Sequence, residues 1–186
     1  DTCQLNSKKI MKILALAKGL DEDYLDSWST QAYPLSNLKM VHYPIRDDTE
    51  KVESCSTEIF NEDGYKYTAY DHVDTGFMTM VNTFNYYGLQ AKVKDQWITI
   101  PPKEDYLVVN FGYGLEKSFN GEIEAIWHRV LDIEVNRHSF VFFFEIAGKH
   151  LIYDDVRDKK SSSQTYEDYF IERVRKLYAE WRNFDI

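Results

Sequence analysis

The chain has 186 residues, 44% hydrophobic and 16% aromatic, with 22 basic against 31 acidic side chains for a net charge of -9. That is material for one globular domain burying about 70% of its unfolded surface, and it excludes a disordered chain. The acidity opposes the phosphate neutralisation that nucleic-acid binding needs, no apolar run approaches the ~18 residues of a spanning helix, and Asp1–Ser7 is too polar for a signal peptide. The expectation is a soluble, cytoplasmic protein with no nucleic-acid and no membrane partner. Cys3 and Cys55 lack CxxC spacing and read as ordinary reduced thiols.

In chain order, Ser7–Leu20 places Ile10, Ile13, Leu14 and Ala17 at helical spacing, with Ser7 as N-cap and Gly19 as terminator. Asp21–Ser29 reads as a loop or short turn, and Tyr33-Pro34 breaks regularity. Leu38–Tyr43 then reads as a strand. Short β-rich runs follow: Tyr65–Asp74, Phe77–Thr83, Leu89–Val93, Trp97–Ile100, Leu107–Phe111, Ala125–Val130 and Ser139–Glu145. Asn61-Glu62-Asp63-Gly64, Lys94-Asp95-Gln96, Pro101-Pro102-Lys103 and Asn120-Gly121 punctuate them. Many short strands with turn signals argue for a barrel or double-sheet jelly roll. Asp154–Gln164 suits a solvated loop. Thr165-Tyr166-Glu167-Asp168 resembles a capping box ahead of a helix striped by Tyr169, Phe170, Val174, Leu177, Tyr178 and Trp181. The organisation is one domain over 1–186: leading helix and loop 1–35, β core 36–153, loop and C-terminal helix 154–186.

Two constellations carry chemistry. His72 and Asp74 are i and i+2 at the end of a strand-like run, so imidazole and carboxylate project to one side. His128, in Ile126-Trp127-His128-Arg129-Val130, can return to the same cavity from another strand. An HxD pair alone is a weak signal and is often structural, but two His and one carboxylate on one face of a metal is the arrangement of non-haem Fe(II) oxygen chemistry. The second is Arg137 and Ser139, again i and i+2, at the mouth of the apolar Phe140–Phe144 run. A guanidinium fork pairs bidentately with a carboxylate, and a hydroxyl two residues on can share it; the plain alternative is a structural ion pair.

The blocks His72-Val73-Asp74-Thr75-Gly76-Phe77-Met78-Thr79, Gly88-Leu89-Gln90-Ala91, Trp97-Ile98-Thr99-Ile100-Pro101, Val108-Val109-Asn110-Phe111-Gly112, Ser118-Phe119-Asn120-Gly121, His128-Arg129-Val130 and Arg137-His138-Ser139 keep a common order and spacing. In them the chain resembles the 2-oxoglutarate/Fe(II)-dependent dioxygenases, in the branch that includes isopenicillin N synthase and the plant flavonoid and gibberellin oxygenases. The resemblance spans about 36–146. It implies a mainly β fold with flanking α, a double-stranded β-helix (jelly roll) with an N-terminal and a C-terminal helix, resembling that branch's C-terminal catalytic domain. It further implies that His72, Asp74 and His128 hold Fe(II). Arg137 and Ser139, with the Tyr43 hydroxyl, would bind the distal carboxylate of the cosubstrate 2-oxoglutarate. The implied reaction is oxidation of a small-molecule substrate with O2, hydroxylation by default, releasing succinate and CO2. Phe77 and Phe143 are candidates for the substrate side of the pocket, with core packing an equal account of each.

Two departures stand out. Val41 occupies the position where many plant members carry Asn, and Gly112-Tyr113-Gly114 replaces the usual Gly-Asp turn. Members of the branch also begin with a further segment that packs on the barrel; it is absent from this chain, so a missing N-terminal segment or a second chain is expected to complete the pocket. The alternatives are an iron-dependent oxidase that uses no 2-oxoglutarate, as in isopenicillin N synthase, and a non-catalytic jelly-roll binding module or fragment.

Overall fold

Helix α1 (Thr2–Ala17) shows how packing adjusts a sequence periodicity. The computed structural model, which describes residues 2–29, 35–45, 61–62, 65–153 and 163–177, starts this helix earlier than expected. Ser7 therefore lies inside it, its hydroxyl donating to the Cys3 carbonyl at 2.9 Å. The buried stripe is Ser7, Met11 and Ala15, while Ile13 stays 64% exposed. Gly19, at φ +70°, ends the helix as expected: Leu20 N–H donates to Ala15 and Gly19 N–H to Leu16, the paired bonds of a Schellman turn. Within the expected loop, α2 (Asp26–Ser29) forms one turn because it buries Trp28. Tyr33-Pro34, Cys55 and the turn at 63–64 lie outside the described residues.

The β core is two antiparallel sheets. The first has the order β1 (Asn37–Tyr43), β9 (Arg137–Phe144), β4 (Met78–Asn82), β7 (Val108–Phe111). The second has the order β2 (Asn61–Glu62), β3 (Tyr65–His72), β8 (His128–Leu131), β5 (Leu89–Val93), β6 (Gln96–Thr99). Facing antiparallel sheets flanked by helices make this a jelly roll, mainly β with terminal α. Lys94 and Asp95, both at positive φ (47° and 62°), form the two-residue turn between β5 and β6. No helix among the described residues is long and apolar enough to cross a membrane.

Strand alternation divides the first sheet into two chemistries. Met78 and Met80 of β4, with Phe142 and Phe144 of β9, pack against Met11, Ala15 and Trp28 on the helical side. Thr79, Val81, Ser139, Val141 and Phe143 face a cavity between the sheets. Phe77 belongs to the helical side. It is fully buried against Trp28 (ring centroids 5.8 Å) and Tyr166 (6.5 Å), not on the cavity wall, because it precedes β4 in a turn whose backbone is held by Glu145 and Gly112, so the alternation that turns Thr79 and Val81 to the cavity does not extend to it.

Three further elements escaped the sequence pattern. Helix α3 (Tyr113–Ser118) replaces the expected turn after β7. Strands β10 (Leu151–Tyr153) and β11 (Ser163–Thr165) pair at the ends of the stretch expected to be a solvated loop, of which 154–162 lies outside the described residues. The N-cap half of the expected capping box forms: Asp168 N–H donates to Thr165 Oγ1 at 3.1 Å, at the start of α4 (Tyr166–Leu177). Tyr178 and Trp181 lie outside the described residues.

Below α4 sits a buried carboxyl, Glu145, at the end of β9. Its Oε2 accepts the Phe77 N–H at 3.0 Å and the Tyr166 hydroxyl. Burial pushes its pKa up to about 8, against the opposing pull of these two hydrogen bonds. The folded protein therefore keeps a proton here that the unfolded chain releases near 4.5, so stability falls as pH rises between those values, by up to ~1.4 kcal/mol per pH unit.

Two outcomes follow from this packing. Relative to Glu145→Gln, which has no such proton to lose, the native protein should lose stability steadily from pH 5 to pH 8 in urea denaturation; parallel profiles would mean the folded carboxyl is already ionised. Phe77→Ala should cost about 3–5 kcal/mol as a core deletion, whereas a loss under about 1 kcal/mol would return Phe77 to the cavity wall.

Candidate active site

The cavity between the sheets has a volume of about 480 Å³ and carries one polar cluster toward each end. At one end β3 finishes on His72 and β8 begins on His128, paired directly across the sheet. The chain leaves β3 and presents Asp74 two residues later. Asp74 Oδ1 lies 3.8 Å from His72 Nε2 and 3.7 Å from His128 Nε2. These separations are too long for hydrogen bonds, yet one ligand atom from each residue falls within 4.8 Å of the others.

The hydrogen bonds around the cluster set its chemistry. His72 Nδ1 lies 2.6 Å from the Tyr70 carbonyl and His128 Nδ1 3.0 Å from the Ile126 carbonyl. Each carbonyl needs a donor, so each Nδ1 carries hydrogen and each Nε2 presents a lone pair, the tautomer used in metal ligation. Thr79 Oγ1 donates to Asp74 Oδ2 at 2.6 Å, leaving Oδ1 turned to the imidazoles. Burial lowers the His128 pKa, against the attraction of Asp74, and His72 lowers it further. The neutral imidazole this favours is the ligating form. Two nitrogens and one carboxylate oxygen, oriented but unbonded to one another, fit a divalent transition-metal ion with positions left open.

At the other end, register places Tyr43 opposite Arg137 and Val41 opposite Ser139. Arg137 and Ser139 are both 3% exposed. The guanidinium lies over the Tyr43 ring at 3.9 Å and its Nη2 reaches the Leu131 carbonyl at 3.5 Å. Ser139 Oγ–H donates to Tyr43 Oη at 3.3 Å. Burial lowers the Arg137 pKa, opposed by Tyr43 and Asp132. Among the described residues no carboxylate forms an ion pair with it. A buried cation so placed calls for an anion. Gly88, at φ +124°, makes room: a Cβ there would lie 3.3 Å from Arg137 Nη2 and 3.1 Å from the Leu131 carbonyl oxygen.

Both clusters thus line one cavity, and Phe143 joins them on its wall while Phe77 does not. Thr79, Glu145, Tyr166 and Tyr169 escaped the sequence reading as site residues. Thr79 had a usable signal, since it follows Asp74 closely and alternates with the apolar Met78 and Met80.

Comparison with known proteins agrees. The model of the 2OG-Fe(II) oxygenase superfamily matches residues 34–146. Isopenicillin N synthase of Streptomyces griseus is 29% identical over 180 residues, covering 94% of this chain and 53% of that protein. The enzyme of the same name from Amycolatopsis lactamdurans is 30% identical over 146 residues, covering 78% and 42%. The chain spans about half the length of the curated relatives it matches. A full-length Neurospora crassa protein, solved in complex with alpha-KG and thymine, superposes with a TM-score of 0.75 at 24% identity, over 95% of this chain and 54% of that one. A 2OG-Fe(II) oxygenase family protein from Caulobacter crescentus gives 0.74 at 22% identity, over 95% and 56%. With its own motifs, its sheet order and the family model in agreement over most of its length, the chain belongs to the 2OG-Fe(II) oxygenase superfamily.

Proposed function

We propose that the protein oxidises a small organic molecule in an Fe(II)- and 2-oxoglutarate-dependent reaction with O2, hydroxylation being the default outcome. The balance is one substrate C–H, one 2-oxoglutarate and one O2 converted to an alcohol, succinate and CO2. The observation that carries this reading is the pairing, in one cavity, of a three-donor cluster with a buried arginine that no carboxylate among the described residues pairs.

His72, Asp74 and His128 would hold Fe(II), which when bound supplies the O2 activation that amino-acid side chains lack. Thr79 restricts Asp74 to presenting Oδ1, and the Tyr70 and Ile126 carbonyls fix the ring orientations. Arg137 neutralises the distal carboxylate of the keto acid, with the Ser139 and Tyr43 hydroxyls as further donors. Leu131, beside the guanidinium, lies three residues along β8 from His128, about 10 Å at strand rise, a span suited to a five-carbon diacid. Val81, Val141 and Phe143 supply an apolar wall that excludes water from the reacting carbon.

A second reading, an iron-dependent oxidase that uses no keto acid, is favoured by the isopenicillin N synthase relatives. Its Arg137 would serve a substrate carboxylate instead.

Anaerobic addition of Fe(II) and then 2-oxoglutarate should produce the visible charge-transfer band of a keto acid chelated to iron. Arg137→Ala should retain iron and weaken 2-oxoglutarate by about 2 kcal/mol or more, roughly 30-fold. His128→Ala should abolish iron binding. Iron bound without any band favours the oxidase, and normal iron affinity in His128→Ala sinks the ligand assignment.

A further inference from the structure

The chain between His72 and β4 carries Asp74, and four consecutive carbonyls of this turn are held from outside it. Tyr113 N–H donates to Asp74 O at 2.8 Å, Gly114 N–H to Gly76 O at 3.0 Å and Gly112 N–H to Phe77 O at 3.1 Å, all from the junction of β7 and α3. The fourth, Thr75 O, accepts the Tyr169 hydroxyl of α4 at 2.8 Å. The Phe77 N–H goes to Glu145, whose same oxygen is held by the Tyr166 hydroxyl, again from α4. Glu145 fits because residue 76 is glycine: a Cβ there would occupy the space of the Glu145 carboxyl.

These contacts are poorly explained as packing alone. Tyr166, Tyr169 and Glu145 are at most 3% exposed, and their polar atoms converge on one turn of the main chain. Burial raises the pKa of both tyrosines, Tyr166 strongly, so both remain hydrogen-bond donors. Tyr169 also stacks on Tyr113 (ring centroids 6.4 Å), the residue whose N–H holds Asp74 O, so the α3 and α4 contacts brace each other. Among the described residues, the one side chain outside the turn that hydrogen-bonds the Asp74 carboxylate is Thr79. Everything else that aims it is main chain.

We propose that α4 is a clamp on the metal site. Tyr169 directly, and Tyr166 through Glu145, are positioning residues that fix the Asp74–Phe77 turn and thereby the direction of the Asp74 carboxylate. This rests on the reading of His72, Asp74 and His128 as metal ligands. Tyr169→Phe removes one hydroxyl and nothing else; Glu145→Gln keeps an acceptor for Phe77 N–H and Tyr166; Glu145→Leu deletes it.

The test is titration of the whole chain with Co(II) alone, followed by its visible absorption, with Tm measured on each variant. Ile152→Val serves as a control, since Ile152 is buried in the same core but has no polar side-chain atom with which to hold the turn; Ile152→Ala serves where a larger loss of Tm must be matched. Tyr169→Phe and Glu145→Leu should weaken Co(II) about 10-fold and alter its spectrum, Glu145→Gln should restore near-native affinity, and the control should bind normally. Native affinity and spectrum in Tyr169→Phe overturn the clamp, as does an equal loss in the control. If Glu145→Leu does not fold, Tyr169→Phe decides alone. Absence of Co(II) binding by the native chain overturns the ligand assignment and the clamp with it, whereas native binding with indifferent variants overturns the clamp only.

Discussion

Strand β9 has to meet two environments at once, and its register decides the rest of the molecule. One face carries Arg137, Ser139, Val141 and Phe143 into the cavity; the other sends Phe142 and Phe144 into the helical core. A slip of one residue against β1 or β4 would exchange these sets, burying a guanidinium among phenylalanines and methionines. The pairings of β9 with β1 over Asn37–Tyr43 and with β4 over Met78–Asn82 are therefore specified by polarity as well as by backbone bonds. The same register sets Tyr43 beside Arg137 and Thr79 beside Phe143, so anion pocket and carboxylate support descend from one pattern of alternation.

Polar groups on that inner face are costly unless each has a partner. The structure meets the cost locally. Ser139 bonds Tyr43, Thr79 bonds Asp74, and both imidazoles bond carbonyls of their own strand segments. Arg137 is less well matched, with an aromatic face and one long carbonyl contact and, among the described residues, no paired carboxylate. The cavity is thus most nearly balanced with an anion at one end and a cation at the other, which is the charge pattern of a chelating diacid bridging guanidinium and metal.

Much of this was legible in the sequence because the candidate site residues obey short rules. His72 with Asp74, and Arg137 with Ser139, are i, i+2 pairs on strands, and the pairing of His128 with His72 follows from two strands returning to one sheet. Long-range partners without local periodicity were not legible. Glu145 reads as the polar end of an apolar strand, and only the fold places it under Tyr166 and against Gly76. Phe77 sits in a motif block close to Asp74 and shares the parity of Thr79 and Val81, which suggests the pocket, yet it lies in the turn before β4, where strand alternation does not hold, and packs on Trp28 instead. Helix α3 has weak propensity, with glycine at its second residue; it forms because its first N–H groups find the carbonyls of the Asp74 turn.

That last pairing explains why the departure from the usual Gly-Asp sequence is tolerated. A turn carboxylate after β7 would be one way to occupy free N–H groups at the start of a helix. Here Gly112 has no side chain to cap with, and the donors of Gly112, Tyr113 and Gly114 go to the main chain of residues 74, 76 and 77 instead. Glycine at 112 is required by the same closeness, since a Cβ would lie 3.0 Å from the Asp74 carbonyl oxygen and nearer still to Gly76. The exchange replaces a local cap with a long-range one. It ties the helix end to the turn that carries Asp74, so the order of α3 and the aim of the carboxylate become one property of the fold.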